Sequence, residues 1–226
     1  MMCIIDDRLK KLFSSQPDIL YGYSRVESEA FAARYPSALV IAVPYGEQLT
    51  MKNYSEERFD AGINAAKERI DALLPEIGRV LEEAGCPHYI PETAQKNETE
   101  LLAEFSFKYA AVGAGLGWMG KNGVLITERY GPRVRLSAVL IGAEMPYGER
   151  VTESRCGDCH LCTDICPCGA IHGVNWTPET LREELLDYHR CNTMRSGFIS
   201  RLGHKSACGR CMAVCPWGTD DSPLLH

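Results

Sequence analysis

The sequence predicts a mixed α/β chain in two parts: an α/β (α+β) portion over residues 1–150 and a small cysteine-rich portion over 151–226. Three observations carry that prediction. Up to about residue 145, helical periods alternate with short β-branched apolar runs. After Pro146-Tyr147-Gly148, cysteine, glycine and short loops dominate. Nine of the 11 cysteines lie between Cys156 and Cys215. A chain of 226 residues holds one large domain or two small ones. With 45% hydrophobic and 24% charged residues it is globular rather than disordered.

The elements follow in order. Residues 37–43 (SALVIAV), bounded by Pro36 and Pro44, read as a buried strand. A long helix follows, with Ser55 as its N-cap and Gly85 as its stop. Its apolar residues Phe59, Ile63, Ala66, Ile70, Leu73, Ile77, Val80 and Ala84 are spaced by three or four and paint one face. Pro75 is expected to kink or split it. A second helix is read over 98–112. Residues 124–127 and 134–141 are read as strands forming a hairpin, with turn chemistry at Tyr130-Gly131-Pro132-Arg133. In the C-terminal part, 181–188 is the one clear helical piece. About 76 residues are too few there for a generous core, so bound metal is expected to add stability.

Composition narrows the partners. The net charge of −6 carries none of the basic excess needed to grip nucleic acid by charge alone. No apolar run approaches the ~18 residues of a membrane span. The start, Met1-Met2-Cys3-Ile4-Ile5-Asp6-Asp7, lacks a basic or long apolar stretch. A cytoplasmic protein with no membrane association is expected. In a reducing cytosol the cysteine cluster reads as metal ligation rather than disulfides.

Cys156, Cys159, Cys162 and Cys166-Pro167 follow the spacing C-x2-C-x2-C-x3-C-P, the bacterial ferredoxin run. In two-cluster proteins its fourth cysteine ligates the other cluster. A second group, Cys208, Cys211 and Cys215-Pro216, supplies three more, and Cys191 completes eight. Two [4Fe-4S] clusters are therefore expected. One is assigned to Cys156, Cys159, Cys162 and Cys215, the other to Cys166, Cys191, Cys208 and Cys211. Cys3, Cys86 and Cys168 remain free, with Cys168 close enough in sequence to substitute. Zinc fits this spacing poorly.

Gly115-x-Gly117-x-x-Gly120-Lys121-Asn122 formally matches a dinucleotide fingerprint and nearly spells a P-loop. Both need a preceding strand, and a helical pattern precedes it here, so both are rejected. Two readings stay open: a tight helix-to-strand connection, or glycines that let backbone approach a ligand beside Trp118. Asp187-x-His189-x-x-Asn192 lacks the glycine of the cobalamin motif D-x-H-x-x-G.

The blocks from Ala114 to Asn122, the ferredoxin run, Arg190-Cys191 and Cys215-Pro216-Trp217 resemble, in order and spacing, epoxyqueuosine reductase. The resemblance is strong over 110–218. It implies a nitroreductase-like cobalamin-binding domain over 1–150 and a double [4Fe-4S] ferredoxin-like domain over 151–226. It implies an oxidoreductase whose clusters pass single electrons to base-off cobalamin, with FMN as the alternative cofactor. Gly115, Gly117, Trp118, Gly120, Lys121 and Asn122 would line the corrin pocket. Glu92, in Pro91-Glu92-Thr93-Ala94, would stand for the family's catalytic aspartate. The implied partners are a low-potential donor (ferredoxin or flavodoxin) and a small-molecule or unidentified substrate, with tRNA disfavoured by charge. Corrinoid processing, or electron carriage without catalysis, are the alternative functions.

Overall fold

A computed structural model describes residues 2–92, 103–204 and 206–220. The chain divides into two compact units, each discontinuous in sequence. The first comprises 1–44, 66–116 and 135–151; the second comprises 45–65, 117–134 and 152–226. The last crossing from the first unit to the second follows Val151. Two earlier segments, 45–65 and 117–134, group with the cysteine-rich part although nothing in their composition marks them.

The first unit holds α1 (Met2–Ser14), β1 (Leu20–Arg25), α2 (Glu29–Ala32) and β2 (Ser37–Pro44). The long α3 (Glu56–Glu83) enters it at Ala66 and is followed by β3 (His88–Tyr89) and α4 (Phe107–Gly113). β4 (Trp118–Met119) and β5 (Leu125–Ile126) belong to the second unit, and β6 (Val134–Ile141) returns to the first. A four-stranded sheet runs in the order β1-β2-β6-β3. β1 and β2 pair antiparallel from Leu20↔Ala42 to Arg25↔Ser37. Every residue of β2 is buried, as its unbroken apolar run requires. α4 packs on β1 and β2.

α3 buries or half-buries seven residues of its predicted stripe, and the eighth, Ala84, is half-buried in the turn that follows. It is not split at Pro75: the helix is continuous, because the apolar face on both sides of the proline stays packed. Gly85 ends it at φ +63°, with the Cys86 N–H returning to the Leu81 carbonyl at 2.9 Å. The second predicted helix is shorter than expected. It starts at Phe107, where the Ser106 hydroxyl caps the Tyr109 N–H; residues 98–102 of that expectation lie outside the described residues.

The predicted hairpin of 124–127 with 134–141 does not form. β5 pairs with β4 instead, Trp118↔Ile126 and Met119↔Leu125, and β6 joins the larger sheet. The turn residues close a smaller loop, bridging Thr127 to Gly131. The C-terminal stretch is more helical than its sequence suggested. It holds α5 (Leu161–Asp164), α6 (Arg182–Leu185), α7 (Tyr188–Ser196), α8 (Ile199–Leu202) and α9 (Arg210–Ala213).

The borrowed segments explain how so short a cysteine-rich region packs. Leu49 and Phe59 come from 45–65 and Met212 from α9; together they form a buried cluster. Tyr45, Tyr54, Ile63 and Val124 pack around it. Gly209, at the start of α9, lies face-on to the Phe59 ring, where a Cβ would come within 2.5 Å of ring carbons. Hydrophobic burial therefore adds to whatever stabilisation the cysteines provide. Among the described residues no helix is long and apolar enough to cross a membrane.

Candidate functional site

The site lies in the second unit and is built from three loops. The ferredoxin run places Cys159 before α5 and Cys162 within it, while Cys166 follows its last turn. Cys211 sits in α9, flanked by Cys208 and Cys215, and α5 and α9 pack against each other. α7 presents Cys191 and is capped by the Asp187 carboxylate, which accepts the Arg190 N–H at 2.9 Å. The near-match to a cobalamin motif at Asp187 is thus a helix cap, and His189 is exposed.

A cavity of about 70 Å³ is lined by Cys156, Cys159, Cys162 and Cys215, with Lys121 and Arg155 at its wall. Its volume is far below the roughly 300–1,000 Å³ of small-molecule pockets. A space of this size walled by four thiols fits a compact inorganic cluster. Among the described residues no three His, Cys, Asp or Glu side chains converge tightly enough to hold a single metal ion.

The thiols report on one another. Burial pushes Cys215 up to about 12; Arg133 opposes, and the Cys156 and Cys162 charges add repulsion. Burial pushes Cys162 up to about 11, with Cys156 and Cys159 adding to it. Cys191 is raised by burial and by Cys166 and Cys208, and Cys211 is raised well above its ordinary value, chiefly by burial. Without a cation among them these groups resist becoming thiolates together; a bound metal cluster would supply that cation. Cys166 differs. Burial alone would raise it, yet N–H groups of Ala170, Cys168 and Ile171 turn toward its sulfur and bring it below the usual thiol range. The Ala170 bond is 3.3 Å long. Cys168 lies with its sulfur 3.7 Å from that of Cys166. Cys86 is buried and Cys3 has no described side chain.

The glycine-rich loop meets this site. Lys121, 6% exposed, donates from Nζ to the Cys159 carbonyl at 3.0 Å. Asn122, 4% exposed, donates to the Cys211 carbonyl at 3.3 Å. Trp118 is buried edge-to-face on Trp217, with centroids 4.6 Å apart. A Cβ on Gly117 would meet the Ile126 carbonyl at 2.0 Å, and one on Gly120 would meet Asn122 and Ile126 at 2.7 Å. Contacts within the chain therefore explain these glycines. Gly115, in the first unit, is exposed. Glu92, also in the first unit, is exposed, and its N–H donates to the Glu104 carboxylate at 2.9 Å; Thr93 and Ala94 lie outside the described residues.

Sequence reasoning missed two residues. Arg133, 3% exposed, donates from Nε to the Leu49 carbonyl at 2.6 Å and from Nη2 to the Cys215 carbonyl at 2.6 Å. Its Nη1 reaches the Trp217 carbonyl at 2.9 Å and the Tyr130 carbonyl at 3.3 Å. Tyr54 donates its hydroxyl to the Cys208 carbonyl. Neither carries a motif; Arg133 reads as the end of a surface turn.

Residues 155–218 match the 4Fe-4S double cluster binding domain. The chain is 31% identical over 136 residues to the epoxyqueuosine reductase of Bacillus anthracis, which covers 56% of this chain and 33% of that one. It is 37% identical over 227 residues to the tetrachloroethene reductive dehalogenase of Dehalobacter restrictus, covering 92% and 38%. An epoxyqueuosine reductase from Bacillus subtilis superposes with TM-score 0.60 at 17% identity, over 98% of this chain and 68% of that one. The chain is thus similar to epoxyqueuosine reductases over part of their length and shares their fold. It shares that mixed α/β fold with solved reductive dehalogenases too. One of these, described in connection with B12-dependent dehalogenation, gives TM-score 0.60 at 18% identity over 91% and 30%. The chain spans about a third of the length of the first curated relatives it matches.

Proposed function

We propose that this epoxyqueuosine reductase-like chain is the electron-handling core of an oxidoreductase. One [4Fe-4S] cluster is held by Cys156, Cys159, Cys162 and Cys215, the other by Cys166, Cys191, Cys208 and Cys211. Together they relay single electrons from a low-potential donor of ferredoxin or flavodoxin type to an acceptor. The observation that carries this reading is the small cavity walled by four thiols from two loops far apart in sequence. Cys215 feels Cys156 and Cys162, and Cys191 feels Cys166 and Cys208, while Cys211 feels Cys162 of the first set as well as Cys191, Cys208 and Cys166 of its own.

The relatives suggest cobalamin as the acceptor, a metal centre that would supply one-electron chemistry at cobalt. The loop predicted to line its ring offers little for it. Lys121 and Asn122 are buried and bonded to cysteine-loop carbonyls, Trp118 is enclosed, and Gly117 and Gly120 are filled by neighbouring backbone and side chain. These side chains do not fit a corrin contact. Glu92 is proposed as a proton donor on the family resemblance alone; its exposed position supplies no enclosing pocket.

The test is anaerobic purification followed by iron analysis and titration with hydroxocobalamin and with FMN. About eight irons per chain are expected for two cubanes. Two zincs in a colourless protein would overturn the cluster reading. Tight base-off binding of hydroxocobalamin places the acceptor. Binding of neither cofactor makes the chain an electron carrier. Turnover of an epoxyqueuosine-containing tRNA or of a halogenated substrate then identifies the reaction class.

A further inference from the structure

We propose that Lys121 and Arg133 are buried counter-charges of the first cysteine set, holding the reduction potential of its cluster above the value its four thiolates alone would set. This rests on the two-cluster reading. Both side chains are more than nine-tenths buried. Each holds the peptide carbonyl of a first-set ligand: Lys121 that of Cys159 at 3.0 Å, Arg133 that of Cys215 at 2.6 Å. Among the described residues neither has a carboxylate partner. A buried cation without a counter-ion is costly, and backbone dipoles offset only part of that cost. The thiolates beside the two cations are the anions that complete the balance.

The second set is pinned by the same device without charge. The Cys211 carbonyl is held by the Asn122 amide and the Cys208 carbonyl by the Tyr54 hydroxyl, both neutral; the cations near this set, Arg195 and Arg210 (the latter bonded to the Tyr54 hydroxyl), are only half-buried. Arg195 acts favourably on Cys191, but Asp187 acts against it. Arg155 also borders the first cavity; it is exposed and paired with Glu128, so its field is largely cancelled. Reduction adds one electron, and one negative charge, to a cluster. Two desolvated cations beside the first cluster favour that added charge, and screening by salt is weak there. The first cluster is thus the more readily reduced, and electrons run from the second cluster to the first.

Spectroelectrochemical titration of the anaerobic holoprotein, followed by EPR, tests this on wild type, Arg133→Lys, Arg133→Gln and Lys121→Met, with iron counted in each. Wild type should show two midpoints. In Arg133→Gln and Lys121→Met the higher one should move to more negative potential, lowering the reduced-to-oxidised ratio at fixed potential at least about tenfold, or about 59 mV for one electron. The lower midpoint should stay. Arg133→Lys should keep the wild-type value, because it keeps the charge while losing most of the carbonyl bonds. Unmoved midpoints at full iron content, equal movement of both, or a shift in Arg133→Lys as large as in Arg133→Gln would overturn the proposal. If Arg133→Gln loses iron, Lys121→Met decides. Iron loss in all three variants assigns both residues to folding and overturns it. A wild-type protein without eight irons would instead refute the cluster reading.

Discussion

Gly117→Ala separates the two readings of the glycine-rich loop. A Cβ at this position would lie 2.0 Å from the Ile126 carbonyl oxygen and 2.9 Å from its carbon. Restoring 3.0 Å needs a backbone shift of about 1 Å. The shift falls on a ladder only two rungs long, Trp118↔Ile126 and Met119↔Leu125, and on Trp118, which is 1% exposed. Overpacking costs about 1–3 kcal/mol, and each ladder bond lost adds about 1 kcal/mol. The expected destabilisation is about 3–5 kcal/mol, or a fall of roughly 6–20 °C in Tm for a chain of this size. The assay is thermal unfolding of the anaerobic holoprotein at a fixed scan rate, with iron measured beforehand. If the glycine instead served ligand approach, the variant would melt within about 1 °C of wild type and lose only ligand affinity. That result would refute the packing argument.

Cys215→Ser and Cys191→Ser should each lower iron by about half, because each removes one ligand from a different cubane, whereas Cys168→Ser should keep about eight irons; metal analysis decides. Phe59→Ala empties the centre of the Leu49–Met212 cluster and should destabilise by about 3–5 kcal/mol, read as a fall in Tm. The iron-free protein should lose stability as pH rises from about 9, the ordinary thiol value, toward 11–12, where the buried Cys162 and Cys215 titrate. In that window the folded chain holds protons that the unfolded chain has released, so stability falls with pH. Urea midpoints of the iron-free protein that stay flat over this range would contradict the burial of those thiols.

What was legible in the sequence followed from local rules. The α3 stripe has the helical period, β2 has an unbroken apolar run, and the cysteine spacing is itself a ligand geometry. What was not legible depended on distant partners. Nothing in residues 45–65 marks them as core for the cysteine-rich part, because Leu49 and Phe59 are ordinary apolar residues until Met212 is folded against them. The strand at 124–127 was found, but its partner was misassigned. A two-residue strand such as Trp118–Met119 has no period to read, and the better-patterned 134–141 drew the pairing instead. Arg133 was hidden for the opposite reason. Turn chemistry predicts exposure, and burial of a guanidinium among four carbonyls is decided by where Leu49, Tyr130, Cys215 and Trp217 end up.

The two most specific sequence blocks, G-W-x-G-K-N and C-P-W, are read separately in the chain but form one interlocked piece in the second unit. Trp118 of the first packs edge-on against Trp217 of the second. Lys121 and Asn122 tie the Cys159 and Cys211 carbonyls to the same loop, and Arg133 ties those of Cys215 and Trp217 to the Leu49 segment. Four of the eight proposed ligands thus have their peptide groups fixed by side chains from outside the cysteine motifs, counting Cys208 held by Tyr54. An electron-transfer centre gains from such fixation, since ligands that cannot move keep the structural cost of changing charge small. An isolated ferredoxin run would need none of these partners, which is why the loop and the cysteines have to be understood as one site.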